Sequence, residues 1–93
     1  MNELEIVYRA HAVQRMFERQ IAPKKVRLAL EAGDIIEDYS AELSGPGQLI
    51  LGFQGVRPFH VVASQSLNGE RVTVITVYIP HPEKWKSDHR TRK

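Results

Sequence analysis

The spacing of apolar residues changes character along the chain. Leu4 to Tyr8 (LEIVY) is short, β-prone and partly alternating, which predicts a short strand. From Arg9 to about Arg19 the spacing becomes helical: Ala12, Val13, Met16 and Phe17 fall on one side, while His11, Arg15 and Glu18 fall on the other. Ile21-Ala22-Pro23 breaks this helix. Pro23 suits the first turn of a second one, where its missing N–H costs nothing, although Ala22 is a poor N-cap. Val26, Ala29 and Leu30 form the second apolar stripe, and Gly33 is a natural stop.

Beyond Gly33 the pattern is β. Strands are predicted at Asp34 to Tyr39, Gln48 to Phe53, Pro58 to Ser66 and Arg71 to Ile79. Between them lie turn compositions at Ser44 to Gly47, Gln54-Gly55 and Asn68-Gly69, and the last is a strong hairpin signal because both residues tolerate positive φ. Pro80 and Pro82 end the last strand, and residues 86–93 read as a flexible basic tail that Trp85 pins to the body. The expected class is α+β: a short N-terminal strand, then two helices on one face of a four-stranded antiparallel sheet. Strand parity puts Phe59, Val61 and Ala63 with Ile75, Val77 and Ile79 beneath the helices, and projects His60, Thr76 and Tyr78 onto an open face. A bulge in either strand would flip this parity.

At 93 residues, 42% apolar and 26% charged, the chain is expected to form one globular domain, 1–93. No apolar stretch approaches the ~20 residues a membrane helix needs, and no signal-peptide pattern opens the chain, so no membrane partner and a cytoplasmic location are expected. The absence of cysteine excludes disulfides, thiolate metal sites and a cysteine nucleophile. Net charge is only +2, but Arg9 to Arg27 holds six basic residues and one acid, Glu31 to Glu42 five acids and no base, and His81 to Lys93 five Lys or Arg. The two basic blocks can form an anion-binding face or simply carry solvated charge.

Three groups of residues bear on chemistry. His11, Arg15 and Arg19, spaced four apart, form a polar ridge on a helix that can orient a phosphodiester, or a solvent-facing ridge with Glu18 as ion partner. His60 with Tyr78 and Arg57 offers a general acid or base, or a histidine satisfied by its neighbours on a half-buried sheet. The four histidines show no tight ligand spacing, so no metal and no cofactor are expected; Gly45-Pro46-Gly47 lacks the lysine and following helix of a P-loop.

The combination His11-Ala12-x-x-Arg15-Met16-x-x-Arg19, Glu37-x-Tyr39, Gly45-Pro46, Leu49-x-x-Gly52, Arg57-Pro58-x-His60-Val61-Val62, Thr76-Val77-Tyr78-x-Pro80 and Trp85 resembles a family of small bacterial domains of unknown function related to the RelE/ParE-like toxins of type II toxin–antitoxin systems. The usual Gly-Ile-Ser entry to the second helix is here Gln20-Ile21-Ala22. The resemblance implies a RelE-like fold and a toxin that cleaves RNA, such as mRNA, without a metal and is held inactive by a cognate antitoxin. It implies His60, His11 and Tyr78 as catalytic candidates and Arg15, Arg19 and Arg57 as substrate-binding candidates. A non-catalytic module binding nucleic acid or protein through the same face is the alternative, because fold does not deliver activity.

Overall fold

A computed structural model describes residues 5–38, 47–66 and 69–93. In chain order the elements are β1 (Glu5–Tyr8), α1 (Ala10–Arg19), α2 (Pro23–Ala32), β2 (Asp34–Asp38), β3 (Gly47–Gln54), β4 (Arg57–Gln65) and β5 (Arg71–Tyr78). The α+β class and the two helices match the sequence reading. The sheet differs: it has five strands in the order β1-β5-β4-β3-β2 and is mixed. The short first strand does not stand apart but pairs in parallel with β5, Glu5 opposite Arg71 and Tyr8 opposite Val74. Neighbouring strands in sequence make the antiparallel meander β2–β5. The parallel pair joins the first strand to the last, which a rule of sequential pairing does not foresee, and it satisfies backbone groups along an edge of β5.

The helices cover one face. Ala12 and Met16 of α1, Ile21, and Val26 and Ala29 of α2 are buried against Ile50, Phe59, Val61, Ala63, Val72, Val74 and Val77. A bulge between Val62 and Ala63 pairs Val62 with Thr76 and Ala63 with Val74, so Ile75 is the extra residue. Parity therefore flips within β5: Val74 and Val72 join Val77 beneath the helices, while Ile75, expected there, is only half-buried. Gly52 lets α2 approach the sheet, since a Cβ there would lie 2.7 Å from the Ala29 Cβ and 2.8 Å from the Phe59 ring.

The β3–β4 hairpin splints the helical pair. Gly55 turns at φ 65°, which brings Gln54 and Arg57 under the end of α1. The Gln54 amide donates to the Gln20 carbonyl at 2.8 Å and accepts from the Ala22 N–H at 2.9 Å. Arg57 Nη2 donates to the Arg19 carbonyl at 2.7 Å, placing a cation at the carboxyl end of α1 where the helix dipole favours it. Gln20 itself closes α1 in the left-handed conformation, its N–H on Met16 and Phe17 carbonyls. These bonds supply from a distant hairpin the anchoring that Ala22 lacks as a cap.

The other face is not open, as parity alone had it. Leu49, Leu51 and His60 are buried there, and Trp85, itself only 4% exposed, packs on the His60 ring. Residues 86–93, expected as a flexible tail, fold back along this face. The Lys86 N–H donates to the Thr91 carbonyl and the Lys93 N–H to the Lys84 carbonyl, and Trp85 bridges to Arg92. Asp88 closes the turn, accepting from the N–H groups of Arg90 and Thr91 and from the Thr91 hydroxyl. Arg90 then pairs with Asp34, and Arg92 with Glu37 at 2.7 Å. The acidic block on β2 thus meets the C-terminal basic block. Each exposed pair contributes about 0–1 kcal/mol, but together they fix where the segment lies. The turn motif at residues 44–46, Tyr39 and Asn68 lie outside the described residues. Among those described, no helix is long and apolar enough to cross a membrane.

Candidate functional site

His60 and Tyr78 do meet, as their predicted hairpin pairing required: they are register partners across β4 and β5. The surroundings are not those of a reactive centre. His60 is fully buried, with the Tyr78 ring 5.1 Å and the Trp85 ring 4.5 Å from its own, both edge to face. Its Nε2 lies 2.6 Å from the His89 carbonyl, which can only accept, so Nε2 carries the ring proton. Nδ1 then accepts from the Tyr78 hydroxyl at 3.1 Å. Burial holds the His60 pKa below the ordinary histidine value, opposed by the His89 hydrogen bond and the Glu37 charge. In this arrangement the one lone pair of the neutral imidazole is taken up by the Tyr78 hydroxyl and the ring presents no free nitrogen at the surface. His60 is a satisfied core histidine that seats the C-terminal segment on the sheet.

His11 is exposed on α1, which covers the opposite face of the sheet, so the two histidines do not share a surface. On the same helix Arg15 pairs with Glu18 at 3.0 Å, both side chains about two-fifths exposed. Gln14 donates to the second Glu18 oxygen at 3.2 Å, so both oxygens of that carboxylate are engaged.

Arg19 and Arg57 are brought together, because the Arg57 guanidinium reaches the Arg19 carbonyl. They line a cleft of about 470 Å³ between the end of α1 and the chain leaving β5, shared with Gln20, Pro80, His81 and Pro82. The sequence reading gives His81 no site role and places it between the two prolines that end the last strand. The signal that places it was present: Pro80 and Pro82 hold the backbone on either side, so His81 stays at the mouth of β5. The turn beyond is closed by Lys84 and Trp85 N–H groups on the His81 carbonyl at 2.9 and 3.0 Å. Among the described residues no three histidine or carboxylate side chains converge to hold a metal.

A second, larger and mostly apolar groove of about 770 Å³ runs over the helical pair, lined by Tyr8, Val13, Met16, Phe17 and Ile21. Phe17 is 85% exposed along it.

The chain matches no curated protein and no solved structure. A family model does match, over residues 8–79, spanning β1's last residue to the end of β5 and including Arg19, Arg57, His60 and Tyr78. The chain belongs to that family, the domain of unknown function DUF4258.

Proposed function

We propose that this domain binds RNA through its phosphates as a non-catalytic module, using Arg19 and Arg57 with the exposed His11 on the same helix as Arg19, while Arg15 is held by Glu18. The observation that carries this reading is that Arg19 and Arg57 line one exposed cleft, with the Arg57 guanidinium on the Arg19 backbone carbonyl, while the imidazole of His60 is sealed under Trp85. Guanidiniums offer forked donors matched to phosphate oxygens. The C-terminal basic block contributes less, since Arg90 and Arg92 are committed to Asp34 and Glu37. The resemblance to RelE/ParE-like toxins supports RNA, including mRNA, as the ligand. It does not extend to cleavage at His60, which lacks both access and a free nitrogen.

The test is the salt dependence of binding to a fluorescent single-stranded RNA. Releasing counterions from Z phosphates gives a log–log slope of about −0.7Z, so engagement of two or three phosphates gives about −1.4 to −2.1. Binding that does not weaken with salt would overturn the reading.

The apolar groove over the helices favours a protein partner as well, and the same resemblance makes that partner a cognate antitoxin. Residues 9–27 carry six bases and one acid around Phe17, so an amphipathic segment with acidic flanks complements both the groove and its charge. Copurification with a co-expressed small protein encoded beside this chain, lost in Phe17→Asp, tests it; complex formation unaffected by Phe17→Asp would contradict it.

A further inference from the structure

We infer that the cleft at the end of α1 is a mononucleotide pocket, in which His81 is a phosphate ligand alongside Arg19 and Arg57, and that the RNA bound there is single-stranded. The inference builds on the RNA reading above and specifies what enters the cleft.

The Glu83 backbone N–H donates to His81 Nδ1 at 3.1 Å. A backbone N–H can only donate, so Nδ1 holds the lone pair and the ring proton sits on Nε2. His81, one of the residues lining the cleft, therefore carries its N–H on Nε2, the nitrogen left for a ligand. Its backbone is fixed by the flanking prolines and by the turn that Trp85 closes. Three donor side chains of one type of preference, for anionic oxygen, line the same cleft.

Glu18 also borders the cleft and would repel a phosphate, but Arg15 and Gln14 hold its two oxygens. Arg57 spends one nitrogen on the Arg19 carbonyl and, with five N–H donors in a guanidinium, has others to offer.

At about 470 Å³ the cleft lies within the ~300–1,000 Å³ range of small-ligand sites, more room than a bare phosphate requires. Ile79, Pro80 and Pro82 supply apolar wall beside the cations. A sugar and base can rest on these while the phosphate meets the donors. A base held this way is unstacked, which selects single strands over a duplex.

The experiment is titration of the ¹⁵N-labelled full chain with uridine 5′-monophosphate, inorganic phosphate and an oligouridylate, for wild type and His81→Asn. Asparagine keeps an acceptor for the Glu83 N–H and removes the Nε2–H donor. Expected are shifts of Arg19, Arg57 and His81 resonances with the nucleotide, tighter binding of the nucleotide than of phosphate, and about tenfold weaker nucleotide binding in His81→Asn. Equal binding of nucleotide and phosphate, shifts confined to other surfaces, or unchanged affinity in His81→Asn would overturn the pocket. An oligouridylate that binds with salt dependence but shifts other residues defeats the pocket while leaving RNA binding intact. Nucleotide binding in the cleft without oligouridylate binding upholds the pocket and defeats the RNA reading.

Discussion

The imidazole of His60 and the indole of Trp85 stand edge to face, ring centroids 4.5 Å apart at 86°. The contact ties the centre of the sheet to the C-terminal segment. On one side of it Tyr78 and the His89 carbonyl satisfy both imidazole nitrogens; on the other, Arg92 lies 4.5 Å over the indole and reaches Glu37. The Trp85 backbone N–H also closes the turn on the His81 carbonyl, so the residue packed on His60 is the one that ends the chain's exit from β5. Replacing Trp85 with alanine removes a buried aromatic and is expected to cost about 3–5 kcal/mol in urea unfolding. His60→Ala removes a buried ring together with its hydrogen bonds to the Tyr78 hydroxyl and the His89 carbonyl and costs about 2–4 kcal/mol. An unfolding midpoint unchanged in both variants would contradict a packed C-terminal segment.

Stability also depends on pH through His60. Its folded pKa lies below the ordinary 6.5, so below that pH the unfolded chain binds a proton that the folded chain refuses. Stability then rises with pH wherever the unfolded state holds more protons. The domain is therefore expected to lose stability as pH falls from 6.5 towards the depressed folded value, and to gain nothing from His60 above 6.5. Asp88, held near pKa 2 chiefly by the Thr91 hydroxyl, acts in a separate window, where its contribution disappears as pH falls from 3.8 towards 2. Denaturant titrations between those windows and neutrality check the sign; a His60→Gln variant should lose the upper slope and keep the lower.

The hairpin splint predicts that Gln54→Ala destabilises the fold by about 1–2 kcal/mol, since it strips hydrogen bonds from both the Gln20 carbonyl and the Ala22 N–H. Amide exchange at Ala22 should accelerate in the same variant. Unchanged exchange there would show that the α1–α2 linker holds itself.

Gly52→Ala is expected to destabilise by about 1–3 kcal/mol through overpacking, because the added methyl meets the Ala29 Cβ and the Phe59 ring at under 3 Å. Thermal melts with a compensating Ala29→Gly change should recover part of the loss; no recovery would place the strain elsewhere.

Much of this fold can be read from spacing. The apolar stripes of Ala12–Met16 and Val26–Ala29 mark the buried helix faces, and the β4–β5 hairpin puts His60 opposite Tyr78. What spacing does not carry is long-range pairing. The parallel β1–β5 contact links residues 5–8 with 71–74, and the Ile75 bulge has no local marker. The same limit hid the site. A histidine flanked by Phe59 and Val61 alternates onto a face that looks open until Trp85, 25 residues away, covers it. His81 is placed at the end of β5 by Pro80 and Pro82, which the sequence shows, but its position beside Arg19 and Arg57 comes from the tertiary fold.

If RNA binds as proposed, exposed guanidiniums at the end of α1, and not the buried imidazole, meet it. The most direct measurement of this is single-stranded RNA affinity by fluorescence anisotropy for Arg19→Glu, with folding followed by circular dichroism. Only the Arg19 carbonyl is used by Arg57, so the fold should persist, with a loss of about 1 kcal/mol from an acid in the last turn of α1. The expected result is a slightly lowered cooperative melt with affinity reduced about tenfold or more. An Arg19→Glu protein that folds cooperatively and binds RNA as tightly as wild type would contradict this.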